Sequence, residues 1–187
     1  MNAVLVHGLK GWPDNAWFPW LRKELEKRGF TTESLKLPNP VLPERDAWVR
    51  LVKESIKGPD TILIGHSLGC AAILIALQEY DGPPVKQVVC VSGVGRPYLS
   101  NAIVDKIKEW TGWFSQPVDF SKIKPKAERW SVIHSPQDYI VPFKEGEWLA
   151  EQLGVPVIEP KVRGHLIQEE GCMELPEALE AIDPDGN

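Results

Sequence analysis

The sequence predicts a compact α/β fold, a mostly parallel sheet of about six strands with helices on both faces. Apolar runs of four to six residues, too short for helices, alternate with longer stretches whose apolar residues recur every three or four positions. Gly, Pro and Asp-Gly clusters separate the two kinds of segment, as in a series of strand–helix units. A chain of 187 residues, 43% hydrophobic and 25% charged, fits a single domain over residues 1–187.

The first strand is read at Ala3–Val6. A helix follows, with Pro19 near its start, Gly29 at its end, and Trp17, Leu21 and Leu25 in one buried stripe. The second strand is placed at Thr32–Leu37. Its helix opens at Pro43 and runs to Lys57, turning Trp48, Leu51, Val52 and Ile56 inward before Gly58-Pro59 stops it. Thr61–Gly65 is the third strand. Ser67 to Tyr80 is apolar nearly all round, which predicts a deeply buried helix ended by Asp81-Gly82-Pro83-Pro84. After a strand at Gln87–Ser92, the stretch from Arg96 to Lys126 is long for one crossover; it holds an expected helix, Asn101–Trp110, and a lid or wall segment. Trp130–His134 and Val155–Ile158 complete the strands, with a helix beginning around Pro142 between them.

Composition excludes several functions. The net charge is −5, with 21 basic and 26 acidic residues spread along the chain, so no basic face is available for nucleic acid. The longest apolar runs fall well short of the roughly 20 residues a membrane span needs, and the N-terminal residues lack a basic region and cleavage site. A cytoplasmic protein with no membrane partner is expected. The three cysteines cannot all pair, and Cys70 and Cys90 lie in apolar segments, which fits inert, free, buried thiols. No metal-ligand spacing, P-loop or dinucleotide fingerprint occurs, so no metal and no cofactor is expected.

Gly65-His66-Ser67-Leu68-Gly69 matches G-x-S-x-G between an apolar run and a helix-forming one. In that setting a tight strand-to-helix turn presents the serine, and flanking glycines keep neighbouring backbone clear. A serine hydroxyl needs a base to take its proton, and the base needs a carboxylate to fix its tautomer. Both should follow in chain order Ser, Asp, His, on loops at the carboxyl ends of later strands. Of the four histidines, His165 follows the last strand and is read as the base, while His134 ends a strand as a structural or site-lining residue. Asp138, in Ser135-Pro136-Gln137-Asp138, is read as the acid; Asp105, Asp119 and Glu145 are placed less well. The oxyanion donors are expected to be the N–H groups of Leu68 and Leu9. His7 and Gly8 border the same loop as pocket candidates. Trp12, Trp17 and Trp20 are read as core, and Trp113 and Phe114 as pocket wall.

These residues resemble the small serine hydrolases related to the retinoblastoma-binding protein of that class, an α/β-hydrolase branch with many bacterial members. The resemblance runs through Asn-Ala-Trp-Phe-Pro-Trp-Leu-Arg-Lys-Glu-Leu-Glu-Lys-Arg-Gly-Phe, Ile-Gly-His-Ser-Leu-Gly, Gly-Trp-Phe-Ser-Gln-Pro, Ser-Pro-Gln-Asp-Tyr-Ile-Val-Pro and Arg-Gly-His. It implies an α/β-hydrolase fold without a large cap domain, with Ser67 as nucleophile, Asp138 as acid and His165 as base. A retinoblastoma-type pocket protein is not carried over as partner, because Glu170-Gly171-Cys172-Met173-Glu174 has Glu where L-x-C-x-E needs Leu. The expected activity is cleavage of small-molecule acyl esters through an acyl-enzyme. The alternatives are a small amidase or peptidase and a binding scaffold on the same fold. The sequence alone leads one to expect a milder effect from Asp138→Asn than from loss of Ser67 or His165.

Overall fold

Every strand of the sheet runs parallel to its neighbours, so each return passes over a face of the sheet. The computed structural model describes residues 1–97 and 113–182. Its strands are β1 (Asn2–Val6), β2 (Thr31–Ser34), β3 (Thr61–His66), β4 (Val85–Val91), β5 (Ala127–Ile133) and β6 (Val157–Ile158), in the order β2-β1-β3-β4-β5-β6. The helices are α1 (Phe18–Lys27), α2 (Arg45–Ser55), α3 (Leu68–Gln78), α4 (Phe120–Ile123), α5 (Phe143–Leu153) and α6 (Pro176–Ile182). The expected helix Asn101–Trp110 lies outside the described residues.

The period-two alternation of the strands divides the core between the two faces. Val4, Val6, Leu63, Val88 and Val132 pack with α2, α3 and α5, through Trp48, Ile73 and Leu149. Ala3, Leu5, Ile62, Ile64, Val89 and Ile133 pack with α1 and α6, through Leu21, Leu25, Ala178 and Ile182. Helix α3 is buried from Leu68 through Leu77, which is why its sequence carries no polar face. All three cysteines are free and buried. Among the described residues, no helix is long and apolar enough to cross a membrane.

Two strands are shorter than the sequence predicts, and both stop for want of donors. β2 ends at Ser34 rather than Leu37 because the Leu37 N–H is diverted to His7 Nε2 and Pro38 has none to give. β6 begins at Val157 rather than Val155. Gly154, at φ 77°, closes α5 in a left-handed turn that sends the Val155 N–H back to the Ala150 carbonyl, and Pro156 follows. Helix α2 starts two residues after Pro43, with Leu51 and Ile56 only half-buried and Val49 taking an inward position. The short helix α4 and the C-terminal α6 were not expected.

Strand order reverses between β1 and β3, since the chain passes first to one side of β1 and then to the other. In open α/β sheets the carboxyl ends of the strands at such a switch point are where ligands are bound. The loop after β1 carries His7–Trp12, and the turn after β3 carries Ser67.

Candidate active site

Ser67 sits on the turn from β3 into α3 with φ 52° and ψ −120°, a conformation that costs a non-glycine residue on the order of 1–3 kcal/mol. The surroundings over-determine it. The Ser67 N–H donates to Val91 O at 2.9 Å, and the Ser67 carbonyl accepts from Cys70 N at 3.0 Å. The glycines on either side are demanded by backbone approach: a Cβ on Gly69 would lie 2.2 Å from Val6 O, and one on Gly65 would lie 2.9 Å from Cys70 N. A third glycine serves the same turn from the β1 loop, where a Cβ on Gly8 would meet Ser67 Cβ and His66 O at 2.9 Å.

That close approach brings the β1 loop against the start of α3. Among the described residues, the N–H groups of Leu9 and Leu68 are not spent on a backbone carbonyl, and the Leu68 N–H belongs to the helix N-terminus, where the dipole favours negative charge. His7 holds the loop rather than opening into it: it is buried, its Nδ1–H donates to Gly8 O at 2.9 Å, and its Nε2 accepts from Leu37 N at 3.3 Å. Burial lowers its pKa, which keeps the accepting nitrogen unprotonated.

Asp138 and His165 meet across 27 residues. His165 Nδ1–H donates to Asp138 Oδ2 at 2.8 Å, while Asp138 Oδ1 accepts the N–H groups of Ile140 and Val141 at 2.9 and 2.8 Å. His134 Nε2 lies 3.4 Å from the same Oδ2 and donates to Val141 O at 2.9 Å. Burial alone would raise the Asp138 pKa; the hydrogen bonds from His134, His165 and Val141 outweigh it and hold the carboxyl far below the usual carboxylate range. The rival acids are engaged elsewhere. Asp119 caps α4 through Ser121, and Glu145 pairs with Arg96 at 2.7 Å, while Asp105 lies outside the described residues.

The base loop is tied to the elbow by His66. Its Nε2–H donates to the His165 carbonyl at 2.9 Å, and the two rings lie 5.0 Å apart. Burial, then the neighbouring His165, push the His66 pKa down to about 3. The unfolded chain therefore binds this proton first as pH falls below about 6.5, so folding stability is lost as pH drops from there towards 3. Between pH 7 and pH 4 the loss assigned to His66 is about 3 kcal/mol. Urea unfolding at the two pH values should show it, and His66→Gln should reduce the difference between them.

The aromatic residues divide differently from the expectation. Trp113 is 2% exposed, donates Nε1–H to Pro43 O at 3.0 Å and packs edge-on against Trp48, so it is core and not wall. Trp113→Ala should cost about 3–5 kcal/mol of stability in a denaturant titration and leave substrate KM unchanged. Phe114 is half-buried against Val94 and Val141, beside the Asp138 loop, where a wall residue would stand. Trp17 is fully buried as expected and Trp20 partly so; Trp12, read as core, is 46% exposed on the β1 loop.

His134 lines the site as expected, whereas two polar residues that shape it, His66 and Glu170, were missed as contributors. Glu170 Oε1 accepts the His165 N–H at 3.0 Å, and Oε2 accepts the Ile167 N–H at 3.2 Å. Its placement three residues after Ile167 is the spacing by which a carboxylate reaches back to a turn's first N–H, a signal present in the sequence.

The chain is similar to known proteins over nearly its whole length. The model of the family described as serine hydrolase matches residues 3–183. YdeN of Bacillus subtilis (strain 168) is 32% identical over 178 residues, covering 94% of this chain and 90% of its own. The serine hydrolase RBBP9 of Rattus norvegicus is 29% identical over 168 residues, covering 88% of this chain and 86% of its own. The crystal structure of the B. subtilis ydeN product superposes with a TM-score of 0.88 at 29% identity, over 98% of this chain and 97% of that one. A Xanthomonas campestris structure described as a hydrolase of the alpha/beta superfamily shares the fold at a TM-score of 0.61 and 15% identity, over 96% and 98% of the two chains.

Proposed function

For a chain that belongs to the serine hydrolase family and has the α/β-hydrolase fold, we propose a carboxylesterase that cleaves small acyl esters through a Ser67–His165–Asp138 triad. The observation that carries this reading is the buried hydrogen bond from His165 to Asp138, on a loop tied by His66 to the strained turn that presents Ser67. Asp138 fixes the imidazole with its proton on Nδ1, which leaves Nε2 free to act as base.

In the reaction, Ser67 Oγ attacks the ester carbonyl carbon as His165 Nε2 takes the hydroxyl proton. The carbonyl π electrons move onto oxygen, and the N–H groups of Leu68 and Leu9 hold that oxyanion. Collapse breaks the bond to the alkoxy oxygen, which leaves as the alcohol with the proton from His165. Water then attacks the acyl-serine by the same steps, giving the carboxylic acid and restoring Ser67. Metal assistance is not needed for this sequence of steps.

On this reading Phe114, half-buried against Val94 and Val141 beside the Asp138 loop, is the wall residue for the acyl or leaving group. A panel of p-nitrophenyl esters from acetate to octanoate, run beside the matching anilides, tests the reading. Ester turnover above background, fastest for short chains and lost in Ser67→Ala, is expected. Faster turnover of the anilides would replace the esterase by an amidase; no turnover of either would remove the proposal.

A further inference from the structure

We propose that Glu170 is a positioning residue for the base, gripping the backbone of His165 so that its imidazole stays aligned on Asp138; this rests on the triad reading above. The loop that carries His165 turns left-handed on both sides, freely at one glycine and under strain at one leucine. Gly164 has φ +93° and Leu166, which no glycine replaces, has φ 60°. A non-glycine residue persists in that region only where its surroundings over-determine it. Leu166 is fully buried, so its side chain anchors the strained turn in the core but does nothing to orient the neighbouring ring.

Glu170 supplies what the core does not. Its two carboxylate oxygens accept the N–H groups of His165 and Ile167, the residues on either side of Leu166, at 3.0 and 3.2 Å. Both are charge-assisted bonds, stronger than neutral pairs. On the other side of the same residue, the His165 carbonyl is taken by His66 Nε2–H at 2.9 Å. The backbone N–H and C=O of His165 are thus held by two side chains. The site has also been shaped around the carboxylate: a Cβ on Gly164 would lie 2.4 Å from the Glu170 carboxyl carbon, so that glycine provides room for the clamp as well as the positive φ. A displacement of about 1 Å in a reacting group costs on the order of 10²-fold in rate, which sets the scale of what the clamp protects.

The test compares Glu170→Ala and Glu170→Gln with the wild-type protein. Glutamine keeps the size and one acceptor but presents an amide N–H₂ to the second N–H and removes the charge. For short-chain aryl esters, kcat per folded molecule is expected to fall about 100-fold in Glu170→Ala and about 10-fold in Glu170→Gln, with KM changed by less than about twofold. Asp138, His66 and Glu170 are the titratable groups that face His165 from the β5 loop, the elbow and its own loop. A second readout needs no turnover: the proton shared by His165 Nδ1 and Asp138 should give a far-downfield NMR resonance that broadens or disappears in both variants. An unchanged resonance, with kcat that merely follows the folded fraction, would overturn the proposal. A wild-type protein that keeps the resonance yet turns over neither ester nor anilide would overturn the proposed activity and leave the clamp to be judged by that resonance.

Discussion

Replacing Ser67 with alanine is expected to lower turnover of activated esters by about 10⁴-fold or more. The change removes the only atom that can form the acyl-enzyme and leaves its setting intact. The Ser67 N–H still donates to Val91 O, and the glycine contacts of the turn do not involve the hydroxyl. Thermal unfolding should therefore be nearly unaltered. Residual rate would come from the Leu9 and Leu68 N–H groups stabilising the oxyanion formed when water attacks the ester directly. Steady-state kinetics on a short aryl ester, with far-UV circular dichroism as the control, measures both halves. Wild-type turnover in this variant would place the reaction elsewhere in the molecule.

Asp138→Asn is expected to lower kcat by about 10³–10⁴-fold, a larger effect than the sequence suggested. The reason lies in the two faces of the carboxylate. Oδ1 takes the N–H groups of Ile140 and Val141, and an asparagine keeps those bonds only by leaving its carbonyl oxygen there. Its amide N–H₂ then points at His165 Nδ1, which must become an acceptor. The imidazole proton moves to Nε2, and the nitrogen that the proposed mechanism uses as base can no longer take a proton. The loop bonds survive but lose the carboxylate charge that the site stabilises, so some stability is also lost near neutral pH. The measurement is kcat for folded Asp138→Asn across pH 6–9; activity within tenfold of wild type would mean that the acid has little part in orienting the base.

The central strand, the elbow and the buried helix were legible because their signals are local. Ile62, Leu63 and Ile64 form an unbroken apolar run, Ser67 is bracketed by glycines that backbone approach demands, and α3 carries no polar face. Asp138 and His165 were reachable from chain order, since each follows a strand at the carboxyl edge of the sheet. What stayed hidden depends on distant partners. His66 was read only as the neighbour of the serine, yet its hydrogen bond spans 99 residues to the base loop. His134 faces Asp138 only because the Asp138 loop folds back over the end of β5. Trp113 looked like a wall because it ends a long insert, and only Trp48 and the Pro43 carbonyl make it core. The strand ends were misjudged by two or three residues for a similar reason: His7 and the α5 terminus capture N–H groups that residue type alone assigns to the sheet.

The most direct test of an activated serine at this site is labelling with a fluorophosphonate, followed by peptide mass spectrometry. The serine oxygen would attack phosphorus, fluoride would leave, and His165 would take the proton, leaving a stable phosphonyl ester. One adduct per chain, located on Ser67 and absent from Ser67→Ala, is the expected result. A folded protein that takes no label, or that labels equally well without Ser67, would contradict the account.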